Sequence, residues 1–340
     1  MRVREAIKKF LFASRAEGKS RHTVSSHRCN LGQFASYVET RGLPGHIKQI
    51  TVDELRRYVV YLREEKVPYA DHPYRQPDRS RRLSATTISD YVTSLRAFYS
   101  WLTREKIISQ DDNPFSSGRI KVPKPLERVI ESLDDRHIEM LLNTCSSDDF
   151  EDSRDRAIML ILLDTGVRVS ELVSLRLREV NWEQHGGSLL IQGKGSKERI
   201  VPIGPTTLNA YLQYYYRYHQ QRALNAAFPF LSRRGEPLTP TGVRQMLKRR
   251  AKEAGISGVS VSPHIFRHSF ARRYLVNGGS QIALKQILGH TTMAMVSHYA
   301  RLSDKDLQAL HVGASPVERL SVSTTLVPER VTPNCSTSLS

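Results

Sequence analysis

The chain has 340 residues, 39% hydrophobic and 25% charged, with a formal net charge of +17. That composition fills the cores of two or three domains and excludes a disordered chain. The absence of any apolar run of membrane-spanning length, and of an apolar stretch after Met1-Arg-Val-Arg-Glu5, argues against a membrane or exported protein. Three distant cysteines, Cys29, Cys145 and Cys335, form no CxxC pair and suit a reducing cytoplasm. Residues 1–120 carry 22 basic and 13 acidic side chains and the remainder 29 and 21, so the positive excess is global. A basic globular chain of this kind points to nucleic acid; the plainer alternative is a merely soluble basic protein.

In chain order, the first third reads as helix after helix. Val3, Ile7, Phe10 and Leu11 form one apolar stripe, and Val24, Leu31, Phe34 and Val38 a second. Thr51-Val-Asp-Glu54 is a capping box before Leu55, Val59 and Leu62. Ser84 opens a fourth helix through Ile88, Val92, Leu95, Phe98 and Leu102. Four such helices make a compact bundle. Val67–Arg82 between the last two has no periodicity and reads as a loop. Its basic end, Arg79, Arg81 and Arg82, either touches DNA or is solvated. Residues 113–130 contain Pro114 and the basic Lys121-Val122-Pro123-Lys124 stretch, which reads as an extended linker.

Ser132-Leu-Asp-Asp135 then opens a second, mixed domain. Ala157–Leu163 is an apolar helix stopped at Gly166, with another around Ser170–Leu177. Ser188–Gln192 and Glu198–Ile203 read as a hairpin whose turn, Gly193-Lys-Gly-Ser-Lys197, presents Lys194 and Lys197. Helical patterns follow over Leu208–Tyr218, Gly242–Ala254, His264–Leu275, Gln281–Leu288 and Thr292–Arg301, before a Ser/Thr-rich tail. The Tyr211–Tyr218 aromatic run reads as packing rather than base stacking. The cations Lys248, Arg249 and Arg250 read as phosphate contacts or a solvated face.

Several polar residues stand on apolar ground. Arg168 follows the Gly166 turn. His264, Arg267 and His268 share a helix face by their spacing, and His290 lies just past Gly289. A phosphodiester suits two arginines, two histidines, a hairpin lysine and a tyrosine. Guanidiniums grip non-bridging oxygens and offset the charge of a pentacoordinate transition state. Histidines donate hydrogen bonds or move protons near neutral pH. Tyrosine, with an ordinary pKa of about 10, needs cations and bases to favour its phenolate. No carboxylate cluster offers ligands to a two-metal mechanism, and no cofactor is expected.

Taken together, Arg168 in Thr165-Gly-Val-Arg-Val-Ser-Glu-Leu172, Lys194 in the hairpin turn, His264-x-x-Arg267, Leu288-Gly-His290 and Tyr299 nine residues later resemble the active-site set of the tyrosine recombinases, the phage-integrase and Xer-type family. The likeness covers about residues 130–305. The N-terminal helices are similar to that family's core-binding domain by pattern and position. The resemblance implies a mainly α fold with a small β-sheet: a helical SAM-like core-binding domain over 1–112, a linker over 113–130, a catalytic domain over 131–313 and a tail over 314–340, the two domains forming a C-shaped DNA clamp.

The resemblance also implies roles. Arg168 and Arg267 clamp the scissile phosphate, Lys194 protonates the departing 5′-hydroxyl, His264 assists proton transfer and His290 holds a phosphate oxygen. Tyr299 attacks phosphorus to give a 3′-phosphotyrosyl link, without ATP or metal. Double-stranded DNA is the expected partner, with a homo-tetramer on paired sites (monomer or dimer without DNA), Leu307–Leu326 as an element packing on a neighbour, and accessory DNA-bending or directionality proteins. The expected location is the bacterial cytoplasm, on the nucleoid.

The Val67–Arg82 loop and the tail exceed a minimal Xer-type pattern. They favour integration or excision of a mobile element over the alternative, chromosome or plasmid dimer resolution. A single-site topoisomerase and a DNA-binding regulator without turnover are the rival classes. Taken singly, each residue has a plainer reading: Arg168 paired with Glu171, His264 and His268 as zinc ligands lacking the usual Glu, His290 as a cap, Tyr299 as a packed ring, and Lys197 as rival to Lys194.

Overall fold

The computed structural model describes residues 1–68, 76–78, 80–116, 118–123, 132–183, 186–193, 197–222 and 227–297. The chain divides into two compact units, Met1–Arg128 and Val129–Ser340.

In the first unit, α1 (Val3–Ala16), α2 (Arg21–Thr40), α3 (Val52–Glu64) and α4 (Ala85–Arg104) form the expected four-helix arrangement. The expected Thr51 and Ser84 caps are present, and Ser20, not singled out from sequence, caps α2 in the same way. Ser20, Thr51 and Ser84 each accept from the backbone N–H three residues on, and Glu54 reaches back to Thr51 N at 2.6 Å to close the box. The apolar stripes meet in one core around Phe10, Leu31, Phe34, Tyr58 and Phe98. Residues 113–122 depart from the extended reading. Asn113 is buried, its side chain donating to Thr103 Oγ1 and accepting from Phe115 N, and Ile120 joins the helical core. The apolar residues between the prolines fold this stretch back onto the bundle.

The second unit opens with α5 (Asp135–Asn143), α6 (Phe150–Thr165) and α7 (Val169–Ser174). Next come β1 (Val180–Glu183), β2 (Gly186–Gln192) and β3 (Glu198–Ile203) in an antiparallel meander of order β1-β2-β3. The hairpin is in the expected register, Gln192 opposite Glu198, and β1 adds a strand that was not expected. Helices α8 (Pro205–Tyr214), α9 (Gln220–Arg222), α10 (Pro240–Glu253), α11 (Pro263–Val276), α12 (Gln281–Leu288) and α13 (Ala294–Ser297) complete the unit, with a π-turn at Tyr215–His219 between α8 and α9. Tyr211 and Tyr214 are fully buried in its core, so the tyrosine run packs as expected, while Tyr216 is exposed. No described helix is long and apolar enough to cross a membrane.

Candidate active site

The α6–α7 turn, the hairpin and the segment after α12 enclose a cavity of about 920 Å³ whose wall includes Arg168, Glu171, Lys197, Arg199, Lys285 and His290. Each is placed by local chemistry. Helix α6 ends at Gly166, whose φ of 60° is the left-handed conformation a side chain resists. Its neighbours leave no room either, since a Cβ there would lie 2.4 Å from Phe270 Cδ1 and 2.9 Å from Leu288 Cδ2. The turn therefore touches α11 and α12 at once. Gly166→Ala is expected to destabilise the second unit by about 2–4 kcal/mol, from left-handed strain plus overpacking. A thermal melt within 1 °C of the parent would refute that account.

The turn delivers Arg168 to the N-cap of α7, where Glu171 accepts from Arg168 N at 2.8 Å and Arg168 Nη1 at 3.0 Å. The local pairing with Glu171 is thus present, while the Arg168 side chain stays 42% exposed on the cavity wall. Glu171 also takes Arg199 Nη1 at 3.1 Å and Nη2 at 2.7 Å. Burial pushes this carboxyl up, yet the Arg199 hydrogen bonds, the Arg168 N–H and both guanidinium charges hold it below the usual range. Arg199 in turn gives Nε to Ile287 O at 2.7 Å, which ties β3 to the end of α12.

Arg267, 4% exposed on α11, holds three acceptors: Gly166 O at 2.6 Å, Leu288 O at 2.8 Å and His290 Nε2 at 2.9 Å. Burial, with the Arg267, Arg168 and Arg199 charges, pushes the His290 pKa down to about 4. The ring is therefore neutral near pH 7. A guanidinium only donates, so Nε2 accepts and the proton sits on Nδ1. His264, in the first turn of α11 behind the Ser262 cap, pairs with His268, the two Nε2 atoms 2.9 Å apart and the rings edge to face. The shared face expected of His264, Arg267 and His268 thus resolves into two pairs, His264–His268 and Arg267–His290.

Gly193 N–H bonds Lys197 O at 2.7 Å to close the hairpin, with Lys197 exposed at the cavity rim. Lys194, His298, Tyr299 and the tail fall outside the described residues, as do Arg79 and Lys124. Arg81, Arg82, Lys121 and Lys248 are exposed. Arg250 corrects the expectation for its run, because it faces inward and its nitrogens bond Asp155, Asp152, Glu253 and Thr144 O. Its charge is used within the fold and is not offered to phosphate. Arg249 is half-exposed and bonds Asp155 at 2.8 Å.

Glu171 was named from sequence only as a local partner of Arg168, and Arg199 was not singled out at all. The Arg168-x-x-Glu171 spacing, with the glutamate at the third helical position of α7, was a usable signal for the first. A cavity whose wall carries Arg168, Lys197, Arg199 and Lys285 can hold an anion such as a phosphoryl group.

Residues 131–306 match the phage integrase family and residues 7–106 the phage integrase N-terminal SAM-like domain. The chain belongs to that family, the tyrosine recombinases, whose members cleave and rejoin DNA strands. It is similar to tyrosine recombinase XerC of Staphylococcus aureus (strain JH9), 30% identical over 299 residues covering 87% of this chain and 91% of the relative. XerC of Anoxybacillus flavithermus is 29% identical over 301 residues, covering 87% and 92%.

Among solved structures, XerH recombinase bound to palindromic difH substrate shares the fold at a TM-score of 0.66 and 20% identity, covering 87% of this chain and 80% of that one. The Tn1549 transposon integrase with circular intermediate DNA does so at 0.62 and 20%, covering 91% and 99%. These likenesses bear out the mainly helical fold with its small sheet.

Proposed function

We propose that the chain is a site-specific recombinase of double-stranded DNA in which Tyr299 is the nucleophile and Arg168, Lys194, His264, Arg267 and His290 serve the scissile phosphate. The observation that carries this is the Arg267 hub. One buried guanidinium holds Gly166 O, beside Arg168, and Leu288 O and His290 on the other side. That arrangement ties Arg267 to the turn that carries Arg168 and to His290, and Arg168 and His290 both line the cavity. In this reading the Tyr299 oxygen attacks phosphorus, the P–O5′ bond breaks, and Lys194 protonates the departing 5′ oxygen. His264 takes part in the proton transfer. The link formed is a phosphodiester of tyrosine, so the reverse attack by a partner strand rejoins DNA with no net change in bond type.

XerH, the Tn1549 integrase and lambda integrase were each solved with DNA, which supports duplex DNA as partner. Paired sites and a homo-tetramer, with accessory proteins setting direction, complete the reading, in a bacterial cytoplasm. Integration or excision of a mobile element fits the longer Val67–Arg82 loop and tail. The XerC relatives favour dimer resolution as the second reading.

Nicked duplexes drawn from the flanks of the gene, incubated with the chain and run on a denaturing gel, test the chemistry. A slow-migrating adduct is expected with Tyr299 and none with Tyr299→Phe. An adduct that survives in Tyr299→Phe overturns the assignment. The mapped site separates the two roles, since element ends mean integration or excision and one chromosomal or plasmid locus means resolution.

A further inference from the structure

We propose that Arg199 is a positioning residue: it holds the charge of Glu171 so that Arg168 is free to leave that carboxylate for a phosphate oxygen. The inference rests on the reading of Arg168 as a phosphate ligand, and it starts from an asymmetry between two arginines sharing one carboxylate. Glu171 is 7% exposed, and its oxygens receive four N–H groups: Arg168 Nη1 and Arg199 Nη1 on Oε1, Arg168 N and Arg199 Nη2 on Oε2. If the Arg168 guanidinium departs, three of those donors stay.

Arg199 cannot follow. Its side chain is 12% exposed, and its Nε is fixed on Ile287 O. Gly289 leaves it its place, since a Cβ there would stand 3.1 Å from the guanidinium. Arg168 is the opposite case, 42% exposed, with one side-chain bond to Glu171 and open cavity beside it.

Neutralisation by a fixed partner decides the competition. A carboxylate this buried requires a counter-charge. With Arg199 gone, the Arg168 guanidinium is the nearest cation left to supply it, so Glu171 and the phosphate compete for one arginine. With Arg199 present, Glu171 keeps a two-bond partner and Arg168 changes acceptor at low cost. A merely structural Arg199, needed only to tether Ile287 and the turn to His290, makes a different prediction, because it takes no account of the charge on residue 171.

The test compares adduct formation by the parent chain, Arg199→Met, Arg199→Lys and the double variant Arg199→Met/Glu171→Gln on the nicked duplex that the parent cleaves. Thermal melts and duplex affinity are recorded alongside. Arg199→Met is expected to slow adduct formation about 100-fold with duplex affinity within about threefold, the size seen when a charge-stabilising group is lost. Arg199→Lys, which keeps the cation, is expected to retain most of the rate. The double variant is expected to regain at least tenfold over Arg199→Met, because glutamine does not compete for Arg168.

The pH profile gives a second readout. The groups that bond Glu171 are Arg168 at the start of α7 and Arg199 from β3, and His290, Lys197, Glu198 and Lys285 line the same cavity. In Arg199→Met, lowering the pH protonates Glu171 and releases Arg168, so the deficit relative to the parent narrows from pH 8 to pH 6. A double variant no faster than Arg199→Met, or a deficit constant with pH, overturns the proposal. Should Arg199→Met fail to fold, the rate and pH profile of Arg199→Lys decide: near-parent behaviour supports the proposal, and a deficit that ignores pH overturns it. Arg168→Ala with an undiminished adduct rate instead sinks the underlying reading of Arg168, independently of these comparisons.

Discussion

Replacing Arg267 with lysine is expected to cut adduct formation at least about 1,000-fold and to lower the stability of the second unit by about 2–4 kcal/mol. The charge survives that change, so the loss isolates geometry. Arg267 serves acceptors in two directions from its two terminal nitrogens, Gly166 O on one side and Leu288 O with His290 Nε2 on the other. A lysine ammonium is a single point that cannot span them, and the planar fork is what binds phosphate oxygens in parallel.

Two buried carbonyls then lose their donor, and His290 loses the contact that sets its tautomer. The check is adduct yield on the nicked duplex together with the melting temperature. A lysine variant within tenfold of the parent would show that Arg267 neither shapes nor touches the reacting phosphate. A large loss of stability with an unchanged rate in the folded fraction would confine it to a structural role.

How much of this was legible follows from the range of each interaction. The Gly166 stop, the Thr51 and Ser84 caps and the β2–β3 hairpin are decided within four or five residues, and they stand where the patterns put them. Strand β1 is four residues, Val180-Asn-Trp-Glu183, too short for alternation to show. It exists because its backbone pairs with β2. Arg199 reads as one polar position on an alternating strand. Its contacts lie 28 and 88 residues away, and no local spacing encodes them.

Arg250 was misread for a different reason. Adjacent residues on a helix point about 100° apart, so three cations in a row cannot share one face. Counting back from Arg250 gives Met246, Leu247 and Val243, all buried. The apolar stripe of α10 therefore runs straight into the arginine, and the period was sufficient to predict an inward guanidinium needing carboxylates.

Those carboxylates lead to the second large effect, an expected loss of about 3–5 kcal/mol in Asp155→Ala. Asp155 is 0% exposed and stands between three arginines: Arg154 on Oδ1 at 2.7 and 3.0 Å, Arg249 and Arg250 on Oδ2 at 2.8 Å each. Arg250 also holds Asp152 at 2.7 Å, which fastens α6 to α10. The attraction within such a cluster roughly offsets the cost of drying it, so its presence says little about net stability. Removing its central anion is another matter, because Arg154 and Arg250 are left buried with too little countercharge. Arg249→Ala takes away only a half-exposed member and is expected to cost below about 1 kcal/mol.

The pH dependence has a definite sign. Burial pushes the Asp152 carboxyl up, but Ser147 N–H and Arg250 hold it below its ordinary value of 3.8. Its contribution is therefore complete above about pH 4 and lost as the pH falls below that. Melting curves of the parent, Asp155→Ala and Arg249→Ala at pH 7 and pH 3 check both points. A drop of roughly 10 °C is expected for Asp155→Ala at pH 7. Equal, small shifts for the two variants would mean that the three arginines find other partners when Asp155 is gone, and that the α6–α10 junction does not depend on it.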